Sequence, residues 1–155
     1  LIGSVGASIA DSLSDAVDAY NAFDAYNAGE YQTAARILTP LAKQGYAEAQ
    51  YYLGVMYDNG FGVPQDYKSA VKWWTSAAEQ GLADAQNNLG LMYDNGQGVL
   101  QDNVHVHMWY NISAYNGDIK ASENRDLIAK RMTPSQIEKA QTLARACLAK
   151  EYKDC

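Results

Sequence analysis

Two consecutive 36-residue segments of the chain are near copies of each other, and this constrains the fold more than any other feature. Residues 47–82 read AEAQYYLGVMYDNGFGVPQDYKSAVKWWTSAAEQGL, and residues 83–118 read ADAQNNLGLMYDNGQGVLQDNVHVHMWYNISAYNGD. Aligned without gaps they are identical at 17 of 36 positions, among them Leu53/Leu89, Gly54/Gly90, Tyr57/Tyr93, Gly60/Gly96, Trp73/Trp109 and Gly81/Gly117. A period of this length marks an array of supersecondary units that stack because none of them buries its apolar surface alone. A degenerate copy lies at 22–46, with Gly45 one period before Gly81 and without the long glycine-rich turn. A further start at Ile119, Lys120 and Ala121 then diverges, as a terminal unit does when nothing packs beyond it. The expected organisation is one domain over 1–155: an N-terminal segment or cap at 1–21, the degenerate repeat at 22–46, repeats at 47–82 and 83–118, and a half-repeat with a capping helix at 119–155.

The spacing inside a unit is helical. Ala49, Leu53, Met56 and Tyr57 share one face at three- and four-residue steps, as do Ala85, Leu89, Met92 and Tyr93. Asn59-Gly60 and Asn95-Gly96 then stop the first helix, and Pro64 withholds a backbone donor in the turn. Asp66 and Asp102 are placed to cap a second helix that ends at Gly81 or Gly117. Gly54 and Gly90 recur in mid-helix, where glycine costs about 1 kcal/mol relative to alanine, so a close helix approach is expected there. Thr133-Pro134-Ser135-Gln136 has the form of a capping box with proline at the first helical position, which predicts a terminal helix from about 134 to 150. The fold class expected is all-α: a short right-handed α/α solenoid of helix-hairpin repeats with a C-terminal capping helix.

Charge narrows the partners. Lys plus Arg is 12 against 18 for Asp plus Glu, a net charge of −6, which argues against nucleic acid as a partner because phosphate binding needs clustered positive charge. No apolar run approaches the ~18 residues of a spanning helix, so no membrane insertion is expected. Residues 1–10 (LIGSVGASIA) are small, apolar and uncharged, either the end of an export signal or sequence foreign to the mature protein.

The residues of 47–82 and 83–118 resemble the Sel1-like repeat family, a relative of the tetratricopeptide repeats, with Val106 and Ser113 as departures from its pattern. The tail KRMTPSQIEKAQTLARACL is similar to the ending of small exported bacterial members. The resemblance implies an adaptor that binds a protein or peptide partner, with no reaction centre and no cofactor in the repeat. It implies a periplasmic or secreted location, with the cytoplasm as the alternative, and by analogy an inhibitor or immunity-type role. Some cysteine-rich relatives are linked with β-lactams, which makes a β-lactam-binding or hydrolysing enzyme one alternative function; a structural component that binds cell-envelope glycan is another.

Candidate chemistry beyond binding is thin. Ser69 and Lys72 match a Ser-x-x-Lys pattern, but Ser122-Glu123-Asn124 is not Ser-Asp-Asn and no Lys-Thr-Gly follows. His105 and His107 point about 200° apart on one helix, so they cannot share a metal, and both are expected at the surface. Asp102 is positioned to meet one of them. Cys147 and Cys155 lie about 12 Å apart on a continuous helix, so a disulfide between them requires the helix to end near Lys150 and the tail to return. In an oxidising compartment that bridge is expected; in a reducing one the thiols stay free.

The candidate binding residues are those the repeat does not dictate. Tyr51, Tyr52 and Val55 become Asn87, Asn88 and Leu91 one period later. They lie off the buried stripe of each first helix and are expected on the concave face of the stack, with Tyr52, Asn88 and Asn124 near the floor of a groove and Tyr51, Val55, Asn87 and Leu91 beside it. The competing reading has some of them packed between repeats or facing water. Trp73, Trp109, Tyr57 and Tyr93 recur with the period and are assigned to the core.

Overall fold

The computed structural model describes residues 3–155, with side chains from residue 14 onward. Among the described residues eight helices follow one another: α1 (Gly3–Asn27), α2 (Tyr31–Gln44), α3 (Ala47–Asn59), α4 (Tyr67–Ala78), α5 (Ala83–Asn95), α6 (Asn103–Tyr115), α7 (Ile119–Ala129) and α8 (Pro134–Ala149). No strand occurs among the described residues. The reading of residues 1–10 as a signal remnant falls on a segment whose side chains, and for residues 1 and 2 also the backbone, lie outside the described residues.

The second helices α4 and α6 and the terminal α8 begin, and the first helices α3 and α5 end, where the sequence supplies caps, although α2 opens at Glu30 without a side-chain bond. The carboxylate of Asp66 accepts from the Lys68 amide at 3.1 Å and that of Asp102 from the Val104 amide at 2.9 Å, opening α4 and α6. Gly60 and Gly96 close α3 and α5 in the left-handed conformation. The capping box at Thr133 is complete, with Thr133 N–H donating to Gln136 Oε1 at 2.9 Å and Gln136 N–H to Thr133 Oγ1 at 3.3 Å. Gly62 and Gly98 combine a positive φ with a backbone neighbour: a Cβ there would fall 2.5 Å from the Tyr31 and Tyr67 carbonyl oxygens respectively. Each glycine-rich turn thus seats on the start of a second helix, Gly62 on that of the preceding unit and Gly98 one unit further on.

α1·α2, α3·α4 and α5·α6 pack as hairpins, and α2·α3, α4·α5 and α6·α7 join them in series. The buried residues recur at repeat register, Ala49/Ala85/Ala121, Leu53/Leu89 and Met56/Met92/Ile128. The close approach expected at Gly54 and Gly90 is present: the ring of Trp74 lies on Gly54, and a Cβ on Gly90 would stand 2.6 Å from Tyr110 Cε1. Trp74 is the buried indole of its unit, whereas Trp73, which aligns with the buried Trp109, is only half-buried.

The packing changes after α6. Asp126 stands where Gly54 and Gly90 stand, and its exposed carboxylate pairs with Arg125 at 2.9 Å. α8 lies against α6, and its Ala144 and Cys147 join the core of Trp74, Leu89, Met108 and Trp109. Cys147 and Cys155 form a disulfide with Cα atoms 5.3 Å apart, so the tail does return as the bridge requires.

Candidate functional site

The first helices α3, α5 and α7 form one layer, and the residues singled out by repeat divergence lie on it. Tyr51, Asn87 and Asn88 come together. With Ala83, Asp84 and the turn from α6 into α7 they line an open hollow of about 540 Å3. Asn116 and Lys120 complete its far wall. Tyr52 turns the other way, its ring 4.9 Å from Phe23 and 5.0 Å from Tyr26, and touches Tyr51 edge-on at 5.4 Å. Val55 packs against the core beside Tyr51, Leu91 is 46% exposed, and Asn124 is half-buried outside the lining of the hollow.

The hollow is held by its own hydrogen bonds. Trp74 Nε1 donates to the Tyr51 carbonyl at 3.1 Å, anchoring α3 over α4. Asn116 Nδ2 donates to Gln86 Oε1 at 2.8 Å, and the Tyr152 hydroxyl donates to Asn116 Oδ1 at 2.8 Å. The tail closed by the disulfide thus braces one wall. Burial, the Asp84 carboxylate and Tyr52 hold the Tyr51 hydroxyl above the usual tyrosine range, against the Asn88 side chain, which favours the ionised form. Asn87 Oδ1 is buried in the wall without a hydrogen-bond partner.

Phe23 and Tyr26 of α1, and Asn116 and Asp118 of the α6–α7 turn, were not expected near these positions. Asn116 aligns with Gln80, which makes the matching bond to Gln50 at 2.8 Å, and that register was the available signal. The Ser-x-x-Lys pattern dissolves into ordinary contacts. Ser69 Oγ donates to Asp66 Oδ2 at 2.6 Å, and the Lys72 ammonium lies 6.0 Å over the Trp73 ring. Of the two histidines expected at the surface, His105 bonds Asp102 at 2.6 Å and stacks on Tyr93, while His107 is 4% exposed with Nδ1 unpaired. His107 is buried because α7 closes over the face of α6 that carries it.

Stacked helix hairpins with a layer of first helices open on one side define an α-solenoid repeat protein. Residues 47–82 and 83–118 each match the Sel1 repeat, so the chain carries two Sel1 repeats. No curated protein matches the chain at a significant level. Among solved structures, c5321, a protective antigen present in uropathogenic Escherichia coli strains and displaying an SLR fold, is similar at 28% identity with a TM-score of 0.85, over 92% of this chain and 32% of that one. A Sel1 repeat protein from Oxalobacter formigenes is similar at 35% identity with a TM-score of 0.66, over 68% of this chain and 44% of that one. The chain spans about a third of the length of the first and less than half of the second. Sel1 repeats generally mediate protein–protein interaction and are typically non-catalytic. No helix among the described residues is long and apolar enough to cross a membrane.

Proposed function

We propose that this protein is a non-catalytic interaction module that takes a peptide segment of a partner protein along the concave face of first helices, with the hollow at Tyr51, Asn87 and Asn88 as its centre. The observation that carries the reading is the hollow that the divergent residues Tyr51, Asn87 and Asn88 line together, Asn87 standing at the position where the preceding repeat has Tyr51. The Asn88 amide offers a donor and an acceptor to a peptide backbone, and the half-buried Tyr51 ring offers contact area at low rotamer cost. Tyr52, Val55, Leu91 and Asn124 would flank the bound segment. The disulfide supports an exported location, since such bridges persist in oxidising compartments. An inhibitor or immunity-type role is the specific form this module would take there.

Peptides selected on the folded chain from a displayed random library test the reading. Bound peptides are expected to shift the amide resonances of Tyr51, Asn87 and Asn88, and Asn88→Ala is expected to weaken them roughly tenfold, as loss of a central contact does. Selected peptides that shift only residues of the second-helix layer would overturn it.

A further inference from the structure

The two full repeats contain an internal comparison at the end of their first helices. Asp58 and Asp94 are equivalent, and their surroundings match closely. Gln65 Nε2 donates to the Asp58 carbonyl at 2.6 Å, and Gln101 Nε2 donates to the Asp94 carbonyl at 2.7 Å. Both carboxylates lie on one stripe with the residues that vary between repeats: Tyr51, Val55 and Asp58 on α3, and Asn87, Leu91 and Asp94 on α5, at steps of four and three.

The difference is the cation. Asp94 accepts from Arg131 Nη2, at 3.2 Å to Oδ1 and 3.4 Å to Oδ2, so the following unit supplies a guanidinium. One period earlier the residue in the place of Arg131 is Asn95, whose Nδ2 donates instead to Gln97 Oε1 at 3.1 Å. Asp58 has no ion-pair partner among the described residues. Its half-buried carboxyl is pushed above the usual carboxylate range by burial, with no cation to offset it. Beside it runs an apolar rank across three helices, Val55, Leu91 and Leu127, of which Leu91 and Leu127 are 46% and 57% exposed.

We propose that Asp58 is the docking point for a basic side chain, an arginine or lysine of the bound peptide, with Val55 and Leu91 receiving an apolar neighbour of that side chain. This rests on the reading of the concave face as a peptide site. The chain shows through Asp94 what a carboxylate at this position accepts, and at Asp58 it withholds that group. The acidic balance of the protein, −6 overall, acts in the same direction at longer range.

The test titrates the full chain with acetyl-Leu-Arg-Leu-amide and with the same peptide carrying neutral citrulline, followed by amide chemical shifts. The arginine peptide is expected to shift Val55, Asp58, Leu91 and Asn95 and to bind about two- to fivefold tighter than the citrulline peptide, the range of a partly exposed ion pair. Asp58→Asn is expected to erase that preference. Asn95→Arg is expected to erase it too, by supplying the pair from within, and Arg131→Asn to add a second set of shifts around Asp94. Equal binding of the two peptides, shifts confined to other residues, or a preference that survives Asp58→Asn overturns the inference. Library peptides that map to Tyr51 and Asn88 with no enrichment in basic residues would sink it while leaving the peptide site standing. An arginine preference at Asp58 without any library binder at Tyr51 and Asn88 would do the reverse.

Discussion

His107 occupies the position held by Val71 one repeat earlier, and the exchange places an ionisable ring in a buried position. Burial and the Arg125 guanidinium hold its pKa below the ordinary histidine value, while Asp126 acts weakly in the opposite sense. A base whose folded pKa is depressed binds its proton more tightly in the unfolded chain, so its effect on stability is absent above about pH 6.5 and destabilising as pH falls below it. Stability by urea unfolding is expected to fall between neutral pH and the folded pKa, and His107→Val is expected to flatten that slope. An unchanged slope in the variant would assign the acid sensitivity to other groups. Asp58 shows the same lesson in its carboxylate: a residue identical between repeats acquires a different role from what the next unit places against it.

Among the elements, the tail after α8 departs furthest from the repeat. Glu151, Tyr152 and Asp154 all have positive φ, a conformation that short chain ends seldom keep unless they are tied down. Here the disulfide ties them. Tyr152 reaches the turn between α4 and α5, with its ring 3.0 Å from where a Cβ on Gly81 would stand, and Lys153 Nζ donates to the Glu79 carbonyl at 3.2 Å. Cys155→Ser is expected to lower stability by about 2–3 kcal/mol, the loop-closure entropy of a short bridge, with a smaller loss of about 1 kcal/mol for Tyr152→Phe. Reductant is expected to reproduce the first effect in the native chain and to leave the serine variant unmoved. Equal stability of oxidised and reduced native chain would show that Tyr152 and Lys153 hold the tail without the bridge.

Across the whole molecule, a ladder of side-chain amides ties each unit to the next. Gln50 Nε2 donates to the Ala42 carbonyl at 3.1 Å and receives Gln80 at 2.8 Å; Gln86 Nε2 donates to the Ala78 carbonyl at 3.1 Å and receives Asn116 at 2.8 Å. The Tyr152 hydroxyl then donates to Asn116 Oδ1, so the tail adds a bond that Gln80, one period earlier, lacks. Gln86 is fully buried, and Gln86→Leu is expected to cost about 1–3 kcal/mol by leaving Asn116 Nδ2 without its acceptor and taking one of two donors from the Ala78 carbonyl, which keeps the Gly81 N–H. Gln50→Leu is expected to cost less, because Gln80 also donates to the Gly45 carbonyl at 2.9 Å and keeps a partner. Equal losses at the two positions, measured by urea unfolding, would deny the ladder its graded character.

The 36-residue period, with its capping aspartates and turn glycines, was enough to determine the hairpins, their boundaries and the close approaches at Gly54 and Gly90, because these depend on residues within one unit. The return of the tail to Cys147 was legible only as the condition a bridge to Cys155 would impose, and the structure meets that condition. The divergent positions were legible as a set, but their division was not. Tyr51 joins Asn87 and Asn88 around a hollow, whereas Tyr52 packs on α1, because α1 lacks the long turn and brings Phe23 and Tyr26 against α3. The burial of His107, the seat of α8 on α6, and the loss to Asp58 of the cation that Asp94 keeps were decided by the tertiary structure alone. A repeat repeats its local geometry, but the neighbour on each side differs, and contact across that boundary is a property of the stack.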